Sequence, residues 1–134
     1  MMSWAEIIRA VQARAGNRCE YCLMHQSLQG ATFHVEHIIP VSCGGLTDLE
    51  NLAWACPSCN LKKSNRTQAV DPVTGSVMAL FNPRIDRWNE HFAVDGYQIA
   101  GLTPTGRALV AAFGLNHERR LLIRQAEESF GLFP

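Results

Sequence analysis

The chain has 134 residues, 47% of them hydrophobic and 18% charged, and its twelve cations balance its twelve anions. That composition predicts one globular domain over residues 1–134 with a modest core, and it excludes a disordered or fibrous chain. No apolar run approaches the roughly 18 residues of a membrane span and no basic-then-apolar leader opens the chain, so a cytoplasmic protein without membrane partners is expected.

Ser3 to Gly16 reads as a capped helix. Ser3 and Glu6 form an S-x-x-E capping box, Trp4, Ile7, Ile8, Val11 and Ala15 recur at helical spacing as a core stripe, and Gly16 supplies the stop. Arg9 and Arg14 lie off the stripe and are expected in solvent. Cys19 and Cys22 then make one C-x-x-C, and Cys56 and Cys59 make a second. Two such knuckles offer four thiolates to a tetrahedral zinc ion. Disulfides would need an oxidising compartment, and a redox pair would not normally come twice. Structural zinc is the expectation, with Cys43 a bystander in its Ser-Cys-Gly-Gly loop.

Leu23 to Gly30 connects the first knuckle to a strand expected over Ala31 to Glu36, with Phe33 and Val35 on one face and His34 and Glu36 on the other. Pro40 to Glu50 is a glycine-containing loop, and Leu52 to Ala55 is the second strand, with Trp54 in the core. A helix should begin near Pro57, which suits a first turn, and run through Asn60 to about Arg66. Within this stretch Glu36 and Asn60 are oxygen donors suited to a hard cation such as Mg²⁺, and His37 beside Glu36 is a candidate general base. His34 is a candidate for metal or substrate contact because it shares a face with Glu36. Lys62, Lys63 and Arg66 are candidate phosphate contacts. Zero net charge withholds the usual basic signature of nucleic-acid binding, although balance says nothing about distribution.

In order and spacing these residues resemble the HNH endonuclease superfamily, also called ββα-metal or His-Me finger nucleases. The resemblance rests on Glu36-His37-Ile38-Ile39-Pro40, Gly44-Gly45, Glu50-Asn51-Leu52 and Cys56-Pro57-Ser58-Cys59-Asn60 with Lys62 and Lys63, and it covers residues 17–66. It implies that His37 is the general base, that Glu36 and Asn60 hold the catalytic cation, and that Asn51 orients the His37 loop by hydrogen bonding. Many members carry histidine where this chain has Asn60. An amide oxygen there suits Mg²⁺ or Mn²⁺. The same resemblance implies hydrolysis of DNA to 5′-phosphate and 3′-hydroxyl ends, and double-stranded DNA is the expected partner.

After Asn65 the motif ends. Val70 to Phe81 is turn-rich, with Asp71-Pro72 and Thr74-Gly75. Asp95-Gly96 favours a hairpin turn between Trp88–Val94 and Tyr97–Ala100. Thr103-Pro104 opens a helix that Gly114 closes, and Asn116 opens a last helix carrying Leu121, Leu122, Ala126 and Phe130. Arg119, Arg120 and Arg124 are expected on its solvated face. Residues 67–134 are thus an extension without a chemical signature.

The expected architecture is α+β, a zinc-stabilised ββα-metal core with a helix before it and a β-hairpin plus two helices after it. The expected function is metal-dependent endonuclease. The rival is a catalytically silent zinc module binding nucleic acid or protein, which has no use for Glu36, His37, Asn51 and Asn60 together.

Overall fold

The computed structural model describes residues 1–134 in two compact units, Met1–Asn65 and Arg66–Pro134. In the first, helix α1 spans Trp4–Arg14 and both halves of the Ser3–Glu6 capping box are formed. Val11 is fully buried, whereas Trp4 remains 51% exposed, so the apolar stripe is core at its centre and not at its start. Arg14 is not left to solvent. Its guanidinium donates to Leu49 O at 2.8 Å and Leu52 O at 2.7 Å, satisfying carbonyls at the entry to the second strand.

Strands β1 (His34–His37) and β2 (Leu52–Ala55) pair antiparallel, with His34 opposite Ala55 and His37 opposite Leu52. β1 thus starts later than the alternation predicts and continues through His37. All of β2 is buried, Trp54 included, while the loop between the strands winds into short 3₁₀ turns at Val41–Cys43 and Leu49–Asn51. Helix α2 covers Pro57–Lys63 and stops before Arg66, because Ser64 takes a left-handed φ of 49°.

The second unit begins with a hairpin that the turn-rich sequence concealed, β3 (Gln68–Val70) against β4 (Val77–Ala79). Asp71-Pro72 and Thr74-Gly75 lie inside its loop. There Asp71 accepts from Val73 N–H at 3.1 Å and from the Thr74 hydroxyl at 2.7 Å, and Arg107 grips both its oxygens. A single turn, α3 (Trp88–His91), leads into the expected hairpin of β5 (Phe92–Asp95) and β6 (Gln98–Gly101) around Gly96. Helix α4 (Pro104–Phe113) is capped by Thr103 and closed by Gly114 as the sequence predicts.

Helix α5 (Glu118–Ser129) departs from its expected polarity. His117 caps it, while Asn116 clasps the Ile99 backbone, accepting from its N–H at 2.8 Å and donating to its O at 2.9 Å. Its buried residues are Arg120, Arg124 and Glu127, and Leu122 and Phe130 are exposed. Arg124 forks onto Tyr97 O and Leu115 O at 2.8 and 2.7 Å, so a backbone-satisfying cation faces inward where the solvated face was expected. Neither Arg120 nor Arg124 belongs to a solvated face. The architecture is α+β, with the expected core, hairpin and two helices plus β3, β4 and α3. No helix is long and apolar enough to cross a membrane.

Candidate active site and metal centre

The two knuckles converge. Cys19 accepts from Leu23 N–H at 2.9 Å through its carbonyl, closing the first turn, and Cys56 caps α2 by accepting from Cys59 N–H at 3.3 Å through sulfur. Cys19, Cys22, Cys56 and Cys59 are all buried and their sulfurs lie within 4.8 Å of one another, Cys22 and Cys56 at 3.7 Å. A tetrahedral zinc with Zn–S of about 2.3 Å spaces its sulfurs by about 3.8 Å, so the set fits the ion. Burial is the main cause that pushes the Cys19 and Cys59 thiols well above the usual range, a preference that a bound cation inverts. None of the five cysteines is in a disulfide, and Cys43 is exposed and outside the cluster.

Beside β1 lies an open cavity of about 390 Å³ whose lining includes Glu36, His37, Ser42, Asn60, Ser64 and Asn65. Glu36 and His37 are adjacent on a strand and point to opposite faces, yet both reach it. Ile38 N–H donates to Asn51 O at 2.9 Å, and the alternation of an antiparallel ladder then turns the N–H and C=O of Val35 and His37 toward the outer edge of β1, which has no partner strand. Lys63 Nζ on α2 donates to that outward His37 O at 3.0 Å. Three consecutive residues of β1, Val35, Glu36 and His37, line the cavity.

Glu36 is 5% accessible and doubly held, by Lys63 Nζ at 2.5 Å from Oε1 and by the Tyr21 hydroxyl donating to Oε2 at 2.7 Å. Burial raises its carboxyl above the usual range, against the opposing pull of Lys63 and then Tyr21. Lys63 is 1% accessible, so the expectation that it meets phosphate in solvent is corrected: three residues beyond Asn60, on the helix face turned to β1, it is the counter-ion of Glu36. Lys62 and Arg66 are exposed.

His37 Nε2 lies 2.8 Å from Thr47 Oγ1. Asn51 knits the intervening loop, accepting from Ile39 N–H at 2.9 Å and donating to Ile39 O at 3.0 Å and Leu46 O at 2.9 Å. His34 is exposed and lines a separate cavity of about 250 Å³ with Trp4, Phe33 and Trp54. Tyr21 and Thr47 carried no sequence signal, since the contacts they make span 15 and 10 residues without a repeat or spacing rule. Tyr21 had only its place inside the first knuckle to single it out.

Residues 19–66 match the family model of HNH endonuclease. The Septu protein PtuB of Bacillus thuringiensis is 25% identical over 115 residues, which are 84% of this chain and 42% of that protein. No solved structure matches the chain significantly. The chain therefore spans less than half the length of the curated relative it matches. The matched segment contains both knuckles, Glu36, His37, Asn51 and Asn60, and over residues 19–66 the likeness to the HNH endonuclease superfamily, with its paired C-x-x-C site, holds.

Proposed function

We propose that this chain is a metal-dependent endonuclease hydrolysing phosphodiester bonds of double-stranded DNA, with a structural zinc on its four clustered cysteines. The reading is carried by one observation: Glu36 and His37 of β1 and Asn60 of α2 line the same open cavity. A carboxylate and an amide oxygen suit a hard cation that keeps several waters and shares its remaining positions with substrate phosphate. Mg²⁺ or Mn²⁺ held there would stabilise charge on the phosphate and on the leaving oxygen.

The remaining work falls to the chain itself. With Nε2 engaged by Thr47, His37 keeps Nδ1 to take the proton of the attacking water. Asn51 holds the loop after His37 on its path through the bonds to residues 39 and 46. Lys62 and Arg66, exposed and short of acidic neighbours in sequence, are left to reach backbone phosphates. Cysteines that serve a zinc ion in place of disulfides suit a reducing cytoplasm. Purified protein incubated with supercoiled plasmid should nick or linearise it with Mg²⁺ or Mn²⁺ and leave it intact with chelator. Binding without cleavage under every cation tried would instead identify a silent zinc module.

A further inference from the structure

We propose that the four-cysteine site sets the orientation of the cation-binding carboxylate, through Tyr21 inside the first knuckle and Lys63 on the helix that continues the second, both acting as positioning residues. The inference rests on reading Glu36 as a cation ligand, and it concerns how that ligand is held.

Glu36 has two oxygens, and each is held from a different half of the cysteine cluster. Tyr21 stands between Cys19 and Cys22 and donates its hydroxyl to Oε2 at 2.7 Å. Lys63 stands one helical turn after Cys59, on the same face of α2, and its ammonium meets Oε1. Both side chains are fully buried, so neither has room to take another rotamer. The first knuckle is also fastened to the sheet. Trp54 turns its backbone groups away from β1, and Glu20 takes both, donating its N–H to Trp54 O at 2.9 Å and accepting from Trp54 N–H at 2.8 Å through Oε2. An ion joining the four sulfurs fixes the distance between the knuckles, hence between Tyr21 Oη and Lys63 Nζ, and hence the plane of the carboxylate between them. Glu36 is then presented to the cavity in one orientation, and a cation entering there pays little to order it.

Tyr21→Phe removes the hydroxyl and keeps the ring, so it separates positioning from packing. Mn²⁺ binding to the zinc-loaded full chain, without nucleic acid, is read from the electron paramagnetic resonance signal of free Mn²⁺. The expected result is an unchanged zinc content and melting curve, an Mn²⁺ affinity weakened about ten- to a hundredfold, and cleavage that recovers toward the original maximal rate at high Mn²⁺. Unchanged Mn²⁺ affinity in Tyr21→Phe, while Glu36→Ala loses binding, overturns the coupling and leaves the cation assignment standing. Unchanged affinity in Glu36→Ala overturns both. Should Tyr21→Phe fail to fold, the original chain carries a second readout: the buried Tyr21 hydroxyl proton, followed by NMR, should shift during Mg²⁺ titration with the midpoint of binding. A resonance indifferent to Mg²⁺ overturns the proposal.

Discussion

A Cβ added at Gly45 would lie 1.7 Å from Ile39 O and 2.8 Å from Asn51 Nδ2, inside the hydrogen-bonded loop that follows His37. No rotamer change relieves a clash with backbone, so Gly45→Ala should cost about 1–3 kcal/mol of stability. It should also lower cleavage more than DNA binding, because the displaced loop follows directly on His37, the base proposed above; melting curves, cleavage rates and filter binding on one preparation check this. The adjacent lysines should behave oppositely. Lys63→Met leaves the buried Glu36 without its counter-ion and should destabilise the chain by about 3–5 kcal/mol. Lys62→Ala, at an exposed position, should change stability by less than about 0.5 kcal/mol, read from thermal or urea melts of the two variants. Residue types and spacing made Glu36, His37, Asn51, Asn60 and the four cysteines visible in the sequence. They left open which lysine turns inward, because that depends on the angle at which α2 meets β1.

Elements with local signals were legible: the Ser3–Glu6 box, Pro57 at the start of α2, Asp95-Gly96 between β5 and β6, and Thr103 and Gly114 at the ends of α4. Those set by tertiary partners were not. β3 and β4 are three residues each, too short for alternation to register, and their loop is organised by Arg107 from a distant helix. α5 buries its charged side because carbonyls left over at Tyr97 and Leu115 need donors. The hairpin loop yields a pH prediction. Arg107 is the main cause that holds Asp71 well below the usual carboxylate range, helped by Thr74 and Val73 against the opposing effect of burial. A depressed value in the folded state means that the stabilisation is fully present above the unfolded value of about 3.9 and is lost as pH falls toward the folded one. Urea melts from pH 7 down to pH 2 should therefore show acid destabilisation that is reduced in Asp71→Asn, whose stability should be lower at neutral pH.

For the molecule as a whole, zero net charge means that any DNA affinity depends on where the cations lie. Removing a phosphate-contacting cation should reduce the slope of log affinity against log salt by about 0.9 and weaken all sequences alike. Lys62→Ala and Arg66→Ala are expected to do so, and fluorescence anisotropy at four or five salt concentrations measures it. Unchanged slopes would return both residues to ordinary solvated surface. Because metal binding is part of the folding free energy of so small a core, Cys59→Ser should lose zinc and either lower the melting temperature steeply or leave the protein insoluble. The central claim is tested most directly by single-turnover plasmid cleavage over pH 5.5 to 9 with His37→Ala and His34→Ala. The account predicts that His37→Ala loses about 10²- to 10⁴-fold in rate while still binding DNA, and that His34→Ala, lining the other cavity, stays within a few fold. Near-original rates in His37→Ala, with the loss appearing in His34→Ala, would contradict it.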